Sequence, residues 1–271
     1  MTRIATRFSE ASGRKLLVPY ITAGDPDLET TLALMHTLVK AGADVIELGV
    51  PFSDPMADGP VIQAACERAL KNKVSLVQVM ETVKRFRETD QDTAVVLMGY
   101  MNPVERLGYA RFAELAAESG VDGVLTVDMP PEEAGDLVAE LRKHDLDSIF
   151  LLSPTTPDAR IERVSEMASG YIYYVSLKGV TGAANLDTAE VAGKVAHIQS
   201  LTGTPVAVGF GIRDADSAAA VSETADAVVV GSVLVALVGE HGAQPDVLHS
   251  KLFDIVNGMR QAMDAKAGAA A

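Results

Sequence analysis

The feature that most constrains the fold of this chain is an alternation of strand and helix patterns that repeats eight times. Short runs rich in valine and isoleucine are each followed by Gly, Pro or Asp and then by a helical pattern. The predicted strands cover 16–21, 43–49, 94–99, 122–127, 147–152, 171–176, 205–209 and 226–230. Such strands run parallel, and right-handed crossovers close eight of them into an α/β fold, a single (β/α)8 TIM barrel.

The segments between these strands predict the helices. They cover 28–41, 60–72, 75–88, 109–119, 131–144, 157–167, 188–201 and 215–224. Two of them lie between the second and third strands, one more than the repeat needs. An amphipathic helix over 3–11 is expected to cap the barrel floor, and a last helix covers 246–266. The alternative is an open doubly wound sheet, but ITAGDPD after the first strand lacks its glycine fingerprint.

Length and composition favour one domain. The chain has 271 residues, 48% of them apolar, with 12 prolines and no linker-like stretch. We therefore expect a single domain over 1–271, with a disordered tail at 265–271. The net charge of -14 argues against nucleic acid as a partner, because no basic face could displace its counterions. A phosphate ligand would have to be held by local backbone N–H groups.

Cysteine and hydropathy indicate the compartment. Cys66 is the only cysteine, which excludes a disulfide framework, and it is more typical of a core residue than of a nucleophile. The N-terminus lacks the apolar run of a signal peptide, and the longest near-apolar run, 227–238, is too short to span a bilayer. We therefore expect a cytoplasmic protein with no membrane partner.

Two acids in the segment ADVIELGVPFSDPMADGP, residues 43–60, are the first candidates for catalysis. Glu47 lies in a predicted buried strand, and Asp58 lies in the rigid loop of prolines and glycines that follows it. An ionised carboxylate is costly to bury, so a purely structural Glu47 is the weaker alternative. Loops at the carboxyl ends of barrel strands are where catalytic groups lie.

Glycine turns after the last three strands predict a phosphate site. They are Gly179 to Gly182, Gly209 to Gly211, and Gly231 with Ser232. Glycine lets the backbone approach phosphate oxygens, and a helix starting near Ser232 would aim N–H groups at them. Apolar side chains at predicted strand ends are either core or the wall of a flat ligand site. They are Tyr20, Met98, Tyr100, Leu125, Tyr173 and Phe210.

The five histidines all fall away from these strand ends, which argues against a Ser-His-Asp triad and a His-ligated metal. Lys178 is read as an exposed loop residue. The residues thus predict a site without metal that combines two carboxyl groups, an apolar pocket and a phosphate clamp. Such a site suits acid-base chemistry on a phosphorylated substrate.

Seven motifs in order resemble the tryptophan synthase alpha chain family. They are VPYITAGDP, ADVIELGVPFSDPMADGP, MGYMNP, VDGVLTVDMP, YYVSLKGVTG, VAVGFGI and VVGSVLV, and they span nearly the whole chain. The resemblance implies a lyase that cleaves indole-3-glycerol phosphate to indole and glyceraldehyde 3-phosphate in tryptophan biosynthesis. It also implies an α2β2 heterotetramer with a β subunit that carries pyridoxal phosphate, and no cofactor in this chain.

The resemblance assigns roles position by position. Glu47 would be the acid-base group, Asp58 would bind the indole N–H, and Tyr173 would lie against the substrate. The indole pocket would contain Tyr20, Met98, Leu125, Phe210 and Thr181. The phosphate would be held by Gly182, Gly211, Gly231 and Ser232, and the β subunit would be contacted by Asp54, Pro55 and Asn102.

The chain departs from the family pattern at three of these motif positions, Tyr20, Met98 and Lys178. These changes affect details of the pocket. Two other functions are considered: a self-sufficient lyase that releases free indole, and a catalytically silent barrel that only binds or regulates. Intact Glu47, Asp58 and Thr181 disfavour the silent barrel, and partner dependence of turnover would separate the two lyases.

Overall fold

Eight parallel strands close into a barrel in chain order in a computed structural model, which describes residues 1–176, 188–209 and 211–270. The strands are β1 (Leu16–Thr22), β2 (Val45–Gly49), β3 (Ala94–Gly99), β4 (Gly123–Thr126), β5 (Asp147–Leu152), β6 (Ile172–Val175), β7 (Val206–Gly209) and β8 (Ala227–Val230). The predicted fold class is confirmed, and every predicted strand is present with its ends shifted by at most two residues.

Helices surround the barrel. They are α1 (Arg3–Glu10), α2 (Leu28–Ala41), α3 (Pro60–Lys71), α4 (Leu76–Phe86), α5 (Met101–Leu107), α6 (Tyr109–Glu118), α7 (Gly135–Lys143), α8 (Asp158–Ser165), α9 (Thr188–Thr202), α10 (Ala215–Ser222), α11 (Ser232–His241) and α12 (Pro245–Ala270). The sequence did not predict α5, because its seven residues are too few to show a helical period. The helix predicted from residue 131 begins at Gly135, and residues 131–134 form turns.

Side chains alternate between the two faces of each strand, as the period of a strand requires. Val45 belongs to the cluster that fills the barrel interior, whereas Ile46 and Leu48 belong to the larger core between strands and helices. Glu47 has the same parity as Val45. The backbone of β2 therefore turns this acid into the barrel, where it is fully buried.

The amino-terminal ends of the strands are closed by α1 and by ion pairs. Ile4 is fully buried in the interior cluster, which confirms the predicted floor helix. At this end of the barrel, Asp122 accepts hydrogen bonds from the guanidinium groups of Arg87 at 2.7 Å and Arg3 at 2.9 Å. Asp122 also accepts from the backbone N–H of Val95 at 2.7 Å. These contacts stabilise one end of the barrel and leave the opposite end for the site.

The last helix is longer than predicted. It begins at Pro245 and ends at Ala270, so it includes part of the segment expected to fray. The disordered tail at 265–271 and the single domain over 1–271 stay predictions. Among the described residues, no helix combines the length and the apolar character needed to cross a membrane.

Candidate active site

Glu47 is buried in the barrel, between β1 and β3. Its neighbours in the sheet are Tyr20 and Val96. Its Oε1 accepts a hydrogen bond of 2.6 Å from the hydroxyl of Tyr171, and its Oε2 has no partner among the described residues. Burial raises the pKa of Glu47 to about 7, and the bond from Tyr171 partly opposes this. Both protonation states of this carboxyl are therefore accessible near neutral pH.

Two tyrosines at the start of β6 face Glu47. Tyr171 precedes β6 and Tyr173 lies within it, and both belong to the barrel interior. The sequence reasoning named Tyr173 and missed Tyr171, which is the residue bonded to Glu47. The signal was available: residues two apart in a strand share a face, so Tyr171 had to point inward with Tyr173. Burial and the charge of Glu47 raise the pKa of both phenols, which keeps them protonated.

Asp58 lies in the loop that joins β2 to α3. Its Oδ2 accepts a hydrogen bond of 2.9 Å from the hydroxyl of Tyr100. Burial raises the pKa of Asp58, and the bond from Tyr100 opposes that rise. The two acids thus occupy different surroundings, since Glu47 is enclosed by the barrel and Asp58 reaches a cavity.

That cavity, of about 570 Å³, opens at the carboxyl ends of the strands. Asp58, Met98 and Tyr173 line it, together with the loops after β4 and β5. Two more residues predicted for the indole pocket lie next to it. Tyr20 is buried against Met98, and Leu125 is part of the barrel interior. Phe210 and Thr181 lie outside the described residues.

The glycines predicted to hold phosphate lie at two strand ends. Gly231 follows β8 and caps α11, and Ser232 is the first residue of that helix. No side chain of the described residues caps α11, so its first N–H groups are suited to an anion. Gly211 follows β7 with a φ of 78°, a conformation that favours glycine. Gly182 lies outside the described residues.

The residues predicted to contact a partner lie near the mouth of the cavity. Asp54 is exposed and Pro55 is half-buried in the loop after β2. Asn102 is exposed in the first turn of α5. This loop meets the residue before α5 through the bond from the Ala57 N–H to the Tyr100 hydroxyl, 3.0 Å long. The structure therefore places the predicted contact residues on adjacent segments.

Comparison with known proteins decides the family. The model of the family described as "Tryptophan synthase alpha chain" matches residues 8–264. The chain belongs to the tryptophan synthase alpha chain family. A relative of that name from Marinobacter nauticus is 63% identical over 255 residues, which cover 94% of this chain and 94% of the relative.

Solved structures agree with this assignment. Tryptophan synthase subunit alpha from Legionella pneumophila superposes with a TM-score of 0.91 at 44% identity, covering 98% of this chain and 99% of that one. A chain of the tryptophan synthase complex from Pyrococcus furiosus has a TM-score of 0.82 at 37% identity, covering 91% and 98%. Members of the family are lyases that need no cofactor of their own in the alpha chain. The chain is therefore a lyase of tryptophan biosynthesis that cleaves indole-3-glycerol phosphate, and the self-sufficient alternative is not favoured.

Proposed function

We propose that Glu47, Asp58 and Tyr173 carry out the cleavage of indole-3-glycerol phosphate to indole and glyceraldehyde 3-phosphate. The observation that supports this most is the pair of carboxyl groups in unlike surroundings. Glu47 is fully buried, with a pKa of about 7, and Asp58 faces the cavity with a donor on one oxygen. Environments that separate two acids in this way assign them different roles.

The retro-aldol step needs a proton at one atom and a base at another. Protonated Glu47 gives its proton to the ring carbon that carries the glycerol chain, which leaves the indole as a cation. The bond between that carbon and the chain then breaks, its electron pair restores the neutral ring, and the adjacent hydroxyl loses its proton to Glu47 as the aldehyde forms. The acid is regenerated, and a pKa near 7 suits both transfers.

Asp58 is proposed to stabilise the positive charge that develops on the indole ring during this step. A carboxylate that accepts the indole N–H stabilises the cationic ring more than the neutral one, so its contribution is largest in the transition state. Tyr173 lines the same cavity and is proposed to pack against the substrate. For Glu47, Oε1 is held by Tyr171, which leaves Oε2 as the oxygen proposed for proton transfer.

Binding is proposed to divide between an indole pocket and a phosphate clamp. The pocket would be formed by Tyr20, Met98 and Leu125 with Phe210 and Thr181, and the clamp by Gly182, Gly211, Gly231 and Ser232. The uncapped amino terminus of α11 supports the clamp, because unpaired N–H groups and the helix dipole favour a phosphate there. The net charge of -14 adds no attraction for an anion, so this local site must supply it.

We further propose a β subunit as partner, in an α2β2 heterotetramer, with pyridoxal phosphate bound in that subunit. The contact would include Asp54, Pro55 and Asn102. The neighbouring Met56 is 82% exposed, a large apolar side chain of the kind that protein contacts bury. A related chain comes from the structure of a tryptophan synthase complex, which supports a partner subunit. A cytoplasmic location is proposed with it.

The test of the proposed chemistry is Glu47→Gln, which preserves shape and removes proton transfer. We expect cleavage to fall by at least about 100-fold, the usual contribution of a positioned acid-base group. Release of glyceraldehyde 3-phosphate is measured together with thermal unfolding. Glu118→Gln, at an exposed position ending α6, is the matched control and should keep wild-type activity. Near-normal turnover by a folded Glu47→Gln protein would refute the assignment.

A further inference from the structure

Tyr100 joins β3 to α5 and reaches back to the loop that carries Asp58. It directly follows β3, caps α5 and is 5% exposed. Its hydroxyl accepts from the backbone N–H of Ala57 at 3.0 Å and lies 2.9 Å from Oδ2 of Asp58. A phenol has one hydrogen, and a backbone N–H can only donate. The phenolic hydrogen must therefore go to Asp58, which fixes the direction of both bonds.

The ring of Tyr100 and the backbone that follows it are each held by a further contact. Phe52, in the same loop as Asp58, stacks on it with ring centroids 5.2 Å apart and an angle of 25° between planes. The next backbone N–H, that of Met101, donates to Oδ1 of Asp128 at 2.8 Å. The loop after β2 therefore holds both the ring and the hydroxyl, and the loop after β4 holds the adjacent backbone, which leaves the hydroxyl little freedom.

The titratable groups near Asp58 differ in whether they stabilise its ionised form. The charge of Asp58 acts on three other titratable groups, which are Tyr20 of β1, Cys66 of α3 and Tyr173 of β6. Burial raises the pKa of each, so all three are uncharged near neutral pH. Among the described residues, Tyr100 alone donates a hydrogen bond to the carboxylate of Asp58. It is the group there that favours the ionised form.

We propose that Tyr100 is a positioning residue for the cleavage reaction: its hydroxyl holds Oδ2 of Asp58 so that Oδ1 is presented to the substrate as part of a carboxylate. This rests on the proposed role of Asp58 in binding the indole N–H. Within the described part of the chain, Tyr100 is not among the residues that line the cavity. It therefore acts through Asp58, and it links the loop of Asp54 and Pro55 to the helix of Asn102.

Tyr100→Phe tests this, because it removes only the hydroxyl. We expect kcat to fall about ten-fold, the usual range for a lost hydrogen bond to a charged group, with a smaller change in KM. Loss of the donor raises the pKa of Asp58, so the acid limb of the pH profile of kcat/KM should move to higher pH. The matched control is Tyr109→Phe, since the Tyr109 hydroxyl also donates to a carboxylate, that of Glu105, at the surface.

A double-mutant cycle with Asp58→Asn separates positioning from general stability. In the Asp58→Asn background, Tyr100→Phe should change kcat little, since the group it positions is already altered. Additive losses, or a pH profile of Tyr100→Phe that coincides with wild type, would overturn the positioning role. Wild-type turnover by Asp58→Asn alone would instead overturn the proposed function of Asp58, so the two failures are distinguishable. Thermal unfolding of each variant confirms that the compared proteins are folded.

Discussion

At the scale of single residues, the two acids differ in how the chain satisfies them. Within the described part of the chain, Glu47 has one donor, Tyr171, and its side chain is fully buried, so burial dominates and its pKa rises to about 7. Asp58 has one donor among the described residues, Tyr100, and lines a cavity. A carboxyl that is costly to ionise destabilises the folded chain when it is charged, but its raised pKa suits proton transfer near neutral pH. This trade-off can be measured.

Glu47→Gln should stabilise the protein at alkaline pH. The pKa of Glu47 is raised from 4.5 to about 7 on folding, so the folded chain binds more protons between these values and the free energy of unfolding falls as pH rises through them. Glutamine does not ionise. The free energy of unfolding of the variant, relative to that of wild type, should therefore rise by up to about 3 kcal/mol from about pH 5 to about pH 8. Denaturant titrations at both pH values measure this. With Glu118→Gln as control, a difference that does not change with pH would contradict the shifted pKa.

At the scale of strands and loops, glycines at strand ends make room for the phenols of the site. A Cβ atom added at Gly49 would lie 2.1 Å from the Tyr20 hydroxyl, and one added at Gly209 would lie 1.9 Å from the Tyr173 hydroxyl. Real Cβ atoms do not approach that closely, so each tyrosine lies across the end of a strand that lacks a side chain there. Glycine in these two strands thus shapes the cavity.

Gly209→Ala should therefore displace Tyr173. We expect binding of a substrate analogue to weaken about ten-fold, the loss of roughly 1.4 kcal/mol of contact. Calorimetry of an indole phosphate without the reactive hydroxyls measures it. Gly193→Ala, in α9, is the control and should bind normally, since no described residue lies within 4 Å of its Cβ position. Unchanged affinity in Gly209→Ala would show that Tyr173 does not pack on the ligand.

At the scale of the whole molecule, stabilising ion pairs and the candidate active site lie at opposite ends of the barrel. Charged networks such as Arg87 with Asp122 lie at the amino-terminal ends of the strands, and the cavity lies at the carboxyl ends. The loop of Asp54 and Pro55 forms part of the mouth of that cavity. A partner bound there would press on the loop that carries Asp58, exclude water and align the acid.

Binding of the β subunit should therefore raise the cleavage rate by about ten-fold or more, at least about 1.4 kcal/mol in barrier height. Purified β subunit is titrated into the protein while glyceraldehyde 3-phosphate release is followed. Pro55→Ala and Asn102→Ala should reduce this activation without lowering the melting temperature. Asn257→Ala, on α12, serves as the control. Full activity without the β subunit, unchanged when that subunit is added, would instead support the hypothesis of a self-sufficient lyase.

The amino-acid sequence by itself determined the barrel and the placement of its acids. Eight repeats of strand and helix leave few alternatives, and the two-residue period of a strand turns Glu47 inward with Val45. Loop chemistry placed Asp58 at the carboxyl end of β2. These are local properties, since each depends on neighbours within a few residues, and local patterns can be read from a sequence.

The tertiary structure decided which groups complete the site. Glu47 meets Tyr171 across 124 positions of sequence, and Asp58 meets Tyr100 across 42. Neither pair follows from periodicity, because barrel closure sets which strands face one another and loop packing sets which hydroxyl reaches a carboxylate. The pKa of Glu47 near 7 has the same origin. Desolvation depends on everything that surrounds a carboxyl, and only the folded chain supplies those surroundings.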